Sequence, residues 1–169
     1  WDFSIAAPAA GLPVTVTGGS LTQGNNYGTT TLLSAVSASS GYRGATGVNN
    51  AAAVARVGAF NPGTDGSAYF EFTLTPSEGY QLSATAISFG SRSTSTGPAA
   101  YALYTSVDHF AAPVASGGLT ANGVWSLQAS ALLNAVTGTT SASITFRLYG
   151  YNGVGASASG SVNWRIDDL

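Results

Sequence analysis

The sequence predicts an all-β fold: a two-sheet antiparallel β-sandwich, jelly-roll-like, with one long loop and at most one or two short helices. Three observations carry that prediction. Apolar residues recur with period two in many short segments, as side chains of a half-buried strand must. Clusters of Gly, Pro, Asn and Ser separate those segments at short intervals. Helical periodicity is weak throughout. The chain of 169 residues is 44% hydrophobic with 3 Trp, 8 Tyr and 7 Phe. That is enough apolar surface to offset chain entropy, so its 22 glycines do not imply disorder. No repeat of fixed period is visible, and length alone favours one domain over residues 1–169.

Taken in order, Trp1, Phe3 and Ile5 alternate with Asp2 and Ser4 as a first strand. Val14 and Val16 alternate with Thr15 and Thr17, in a strand continuing toward Leu21. Residues 24–50 are polar and glycine-rich and read as a long loop excursion, of the kind that is either functional or mobile on a rigid sandwich. Asn50 to Val57 is alanine-rich enough for a short helix. Ala68, Phe70, Phe72 and Leu74 face inward on the next strand, which turns at Pro76 to Gly79. The following strand starts with Leu82 and Ala84 inward and ends with Ile87 and Phe89 inward; that change of face requires a bulge near Thr85–Ala86. Tyr101, Leu103 and Val107 form another strand, and Val124 to Leu127 a short one. Ala129 to Val136 has the composition for two helical turns, and Val162, Trp164 and Ile166 make the last strand. Apolar first and last strands place the termini in the sheets as neighbours, with Trp1 and Trp164 in the core.

The segment from Ser141 to Tyr151 is the most informative. Ala142, Ile144, Phe146, Leu148 and Gly150 share one face, which is core. Ser143, Thr145, Arg147, Tyr149 and Tyr151 share the other. An arginine between tyrosines is unusual for a plain solvated face and marks a candidate binding platform.

Charge and composition exclude several classes. Five arginines, no lysine and seven acidic residues leave a net charge of −2. No basic cluster exists to neutralise phosphates, so nucleic acid is not an expected partner. No apolar run is long enough for a membrane-spanning helix. Cysteine is absent, so disulfides do not hold the fold and the compartment is left open by that criterion. No signal peptide is visible, and a start at Trp1 rather than Met fits a processed or excised segment. Low charge with abundant Gly, Ser, Thr, Ala and Asn favours a secreted or surface-displayed bacterial protein.

Six segments together resemble an extracellular β-sandwich accessory domain of secreted bacterial proteins, found in exosortase-sorted and type IX-secreted proteins and carbohydrate-binding-module-like. They are Trp1–Ser4, Tyr69–Pro76 with Gly79-Tyr80, Ser88–Arg92 running to Thr96–Pro98, Tyr104–Asp108, Thr145–Tyr151 and Trp164–Asp168. The resemblance implies the fold and an extracellular setting, and it implies no reaction. Relatives of this type usually carry Gly where this chain has His109, and their last strand runs past the position of Leu169. A truncated last strand, or one completed by another segment, is the corresponding expectation.

Catalytic machinery is not legible. His109 beside Asp108 is the single histidine; a Ser–His–Asp set needs an oriented base and an oxyanion hole, and with so many serines one near any histidine is expected by chance, so a surface-turn role is the expectation. Glu71 lies mid-strand and Glu78 in a turn, which does not suggest a glycosidase pair. A structural calcium is considered on oxygen-rich stretches, with Asp65, Asp167 and Asp168 as candidate ligands and Asn61 to Gly66 read alternatively as an ordinary turn. The leading functional reading is a non-catalytic glycan-binding or adhesive domain that holds a polysaccharide or cell-surface glycan. Rings stack on sugar faces and planar donors bond hydroxyls or carboxylates. Its candidate residues are Arg147, Tyr149, Tyr151, Tyr104, Trp125 and Tyr42. The competing assignment for each tyrosine is packing, and for Arg147 a bridge to Asp167 or Asp108. The alternative function is a self-associating subunit of an extracellular filament, sheath or surface layer, with other copies of itself as partners.

Overall fold

In the computed structural model, residues 1–3, 11–29, 32–156 and 158–169 are described. Among these residues ten strands form: β1 (Val16–Gly18), β2 (Thr22–Gly24), β3 (Ala51–Ala53), β4 (Tyr69–Pro76), β5 (Ser83–Ser93), β6 (Ala100–Thr105), β7 (Ala115–Gly118), β8 (Trp125–Thr137), β9 (Ile144–Tyr151) and β10 (Trp164–Asp167). One 3-10 turn, Ser106–Asp108, is the only helical element among the described residues, and none is long and apolar enough to cross a membrane.

A six-stranded sheet runs β1-β4-β9-β6-β7, with β2 also paired to β4, and a four-stranded sheet runs β3-β10-β5-β8. The pairings are antiparallel. Numbered from β3 as the first, the two sheets read 1-8-3-6 and 2-7-4-5. Every step along that path crosses between sheets except the β6–β7 hairpin. This is the jelly roll that the sequence predicts; β1 and β2 are added outside it.

The core lies between the sheets and is made by the period-two residues. Phe70, Ile144, Leu148, Leu103, Phe89, Trp164 and Ile166 are fully buried, and Phe72, Phe146 and Tyr101 nearly so. The Phe70 and Trp164 rings meet at 4.8 Å, and Phe72 stacks on Phe146 at 5.1 Å. Leu169 N donates to Trp1 O at 3.0 Å, so the first and last residues are neighbours as expected.

Some local expectations fail for identifiable reasons. Ala129 to Val136 is strand, not helix, because Ala129, Ser130, Ala131 and Val136 pair with β5, and tertiary pairing overrides the local helix propensity. Asn50 to Val57 is not helical either: Ala51, Ala52 and Ala53 pair with β10, and tertiary pairing overrides alanine's propensity. Trp1 and Phe3 are buried in an irregular segment, and Ser4 and Ile5 lie outside the described residues. Val107 belongs to the 3-10 turn rather than to β6. The register break near Thr85–Ala86 is present, between Ala84 and Ala86, and most of the extra length lies on the partner strand. Ala84 faces Val136 while Ala86 faces Ala131, so Leu132 to Ala135 bulge out of β8.

Candidate functional site

The outward face of the six-stranded sheet is an aromatic layer with one ion pair at its centre. In the β4–β9 register Tyr69 stands opposite Tyr149, Glu71 opposite Arg147 and Thr73 opposite Thr145. On the other side of β9, β6 sets Ala102 against Tyr149 and Tyr104 against Arg147. Period-two alternation therefore places Tyr69, Glu71, Arg147, Tyr149, Tyr151 and Tyr104 side by side. The small Ala102 leaves room for the Tyr149 ring.

Arg147 Nε donates to Glu71 Oε2 at 2.6 Å, and its guanidinium lies 4.1 Å from the Phe110 ring centre and 5.0 Å from that of Tyr69. Burial alone would lower the Arg147 pKa. The bonds to Glu71 and to the Tyr149 hydroxyl outweigh it and hold the pKa above its usual value. The bridge to Asp167 or Asp108 expected from the sequence does not form. Glu71 is the residue directly across the ladder, whereas Asp108 caps its own turn by accepting from the amides of Ala111 and Ala112. The Arg147 and Glu71 side chains stay 31% and 29% exposed.

The rings around this pair divide into floor and rim. Tyr149 is 2% exposed and Tyr104 9%, because Phe60 from the loop after β3 stacks on Tyr104 at 5.3 Å and meets Tyr149 edge-on at 5.4 Å. These two tyrosines do not offer free ring faces, and burial raises both phenol pKa values. Tyr151, Tyr69, Phe110 and Phe60 are half-buried and form the rim. Phe60, Tyr69 and Phe110 were absent from the sequence-derived set. Tyr69 could have been found, since it shares the outward alternation of Glu71. Phe60 and Phe110 lie in loops, where no periodicity reports their direction.

The other two candidates belong to the opposite side of the sandwich. Trp125 opens β8, is 7% exposed, and its Nε1 donates to Ser37 O at 2.9 Å. Tyr42 lies 6.3 Å from the Trp125 ring and donates its hydroxyl to Asp168 Oδ2 at 2.5 Å. Both serve to hold residues 32–50 over the outer face of the four-stranded sheet. A Cβ on Gly90 would collide with the Tyr42 hydroxyl, so the glycine makes that seat. Beneath the same loop, Arg165 Nη1 donates to Ser34 Oγ at 3.0 Å and Asn50 Oδ1 at 2.8 Å. Asn50 in turn donates to Ser34 O and Val36 O.

The candidate metal ligands fall in two places. Asp65 pairs with Arg56 at 3.0 Å, in a turn closed by Gly63 N to Asn61 Oδ1 and Ser67 N to Asn61 O. Asp167 and Asp168 end β10, with Asp167 fully buried and its Oδ2 without a hydrogen-bond partner. Burial, with some help from the charge of Asp168, raises the Asp167 pKa from 3.8 to about 6. Among the described residues no three His, Cys, Asp or Glu side chains converge as a metal centre would require. His109 is an exposed, left-handed residue closing the 3-10 turn, at φ 59°.

The chain matches no protein-family model and no curated protein. It is similar to the crystal structure of the K1 cleaved adhesin domain of Lys-gingipain from Porphyromonas gingivalis W83, at 13% identity over 99% of this chain and 92% of that one, with a TM-score of 0.41.

Proposed function

We propose that the chain is a non-catalytic, extracellular adhesive domain that holds a glycan on the outward face of its six-stranded sheet. One observation carries this reading: the Arg147–Glu71 pair, about one-third exposed, with the Arg147 guanidinium against the rings of Phe110 and Tyr69. A guanidinium beside a carboxylate offers a planar donor and acceptor set for vicinal hydroxyls, and flanking rings offer faces for the apolar side of a sugar. The buried Tyr104 and Tyr149 fix the platform rather than contact the sugar, so recognition falls to Arg147, Glu71, Phe110, Tyr69 and Tyr151. Such a site is shallow, and useful retention comes from several copies acting together.

The test is retention of the purified chain on a panel of immobilised polysaccharides, with Phe110→Ala and Tyr151→Ala as probes. At least one polysaccharide should retain the native chain, and both variants should elute early while still melting cooperatively. No retention on any neutral, acidic or sulfated polysaccharide overturns the proposal.

A further inference from the structure

The four-stranded sheet ends in a strand that lacks the usual protection of an edge. β8 runs for 13 residues and pairs only with β5. Among the described residues, a single backbone bond reaches it from outside its sheet, Leu133 N to Val114 O at 2.8 Å, and that falls in the bulge. The bulge interrupts the second half of the edge, leaving Trp125–Ala131 in unbroken register with β5. Natural edge strands are normally blunted by charge, by proline or by being short. None of the chain's 12 charged residues, 5 basic and 7 acidic, lies between Asp108 and Arg147, and β8 holds no proline. Leu127 is 44% exposed and Leu133 71%, with Ala129 and Ala131 also exposed on the same outer face.

We infer that β8 is a homotypic docking edge, on which a second copy of this chain pairs antiparallel along Trp125–Ala131 and joins the two four-stranded sheets into one. Charge selects the occupant. A charged strand laid here would bring its charges against Leu127 and the alanines; the one charge nearby, Arg92 across from Trp125, lies at the start of the strand beside Gly123 and leaves Leu127–Ala131 without a counter-charge. A second copy brings an equally neutral strand, and a two-fold axis opposes no like charges. The residue order is self-complementary as well. With the axis at Gln128, Leu127 stands against Ala129 of the second copy, so large meets small, while Ser126 and Ser130 keep their bonds to Gln128 and Tyr101 within each chain. This surface is on the sheet opposite the Arg147–Glu71 platform. Pairing would therefore leave both platforms open and double their number, independently of whether the platform takes a glycan.

Sedimentation velocity over a concentration series reaching about 1 mM tests this. The native chain should move from 16.9 kDa toward twice that mass. Leu127→Lys with Ala129→Lys, two exposed changes, should remain at the monomer mass with an unchanged circular dichroism spectrum and melting curve. Because the chain has no cysteine, a Leu127→Cys variant mixed with an Ala129→Cys variant should oxidise to a mixed disulfide dimer. Either variant mixed with Glu78→Cys, placed in a distant turn, should not. A native chain that stays monomeric throughout overturns the inference, as does a double-lysine variant that associates like the native chain.

Discussion

The Tyr42 hydroxyl donates to Asp168 Oδ2 at 2.5 Å across 126 positions of sequence, tying residues 32–50 to the end of β10. Thr46 N reaches the same carboxylate oxygen at 3.3 Å, so Asp168 gathers two points of the loop. Tyr42→Phe keeps the ring beside Trp125 and over Gly90 but removes the donor. A bond to a charged acceptor contributes about 1.5–3 kcal/mol, and this partly exposed one should fall at the lower end. Urea unfolding should show a loss of about 1–2 kcal/mol, with faster amide exchange at Thr46. An unchanged midpoint and unchanged exchange would show that packing alone seats the loop.

Asp167 makes the stability depend on pH in the direction opposite to a salt-bridged acid. Its pKa rises from 3.8 to about 6 on folding, chiefly through burial. Between those values the folded chain binds more protons than the unfolded one, so stability falls as pH rises from about 4 to about 6 and is flat above. Asp168 and Asp2 add to the repulsion, while Ser39 and the Asp168 amide favour the charged form. The full shift corresponds to about 3 kcal/mol at most. The urea midpoint should drop across that window, and Asp167→Asn should flatten the profile. A native profile that rises from pH 4 to 6 would contradict the assignment.

Gly150 sits on the core face of β9, where an added Cβ would come within 2.6 Å of Pro98 Cγ and 2.8 Å of the Trp164 ring. Trp164 is fully buried against Phe70 and cannot yield without disturbing both sheets. Overpacking of this kind costs about 1–3 kcal/mol. Gly150→Ala should lower the melting midpoint by several degrees and broaden near-ultraviolet tryptophan dichroism. A melt equal to native would mean that the sheets separate there at little cost.

The fold was legible because each inward residue repeats every second position, as Ile144, Phe146 and Leu148 do. That signal is local and survives without any knowledge of partners. The platform was only half legible. Alternation put Arg147, Tyr149 and Tyr151 on one face, but it cannot say what lies above a face. Phe60 arrives from a loop some 90 residues upstream of Tyr149 and closes its ring off from solvent. Trp125 and Tyr42 misled for the same reason: both rings read as exposed aromatics until the 32–50 segment is laid over the smaller sheet. Arg165 shows the reverse case, a charge on a strand's outer face that is buried by a loop rather than solvated.

Arg147 and Glu71 have a structural and a recognition role that measurement can separate. The pair is about one-third exposed on each side, so solvent screens part of its attraction, and a double-mutant cycle with Arg147→Ala and Glu71→Ala should give a coupling of about 1 kcal/mol. Arg147→Lys keeps the charge but loses the planar fork and the contact with Phe110 and Tyr69. In the cycle, Lys should recover part of the coupling. On an immobilised polysaccharide it should recover none of the retention, because the flat donor set is what meets the sugar. If Lys restored retention as fully as stability, simple positive charge would be sufficient, and the geometry of the Phe110–Arg147–Tyr69 layer would have no part in recognition.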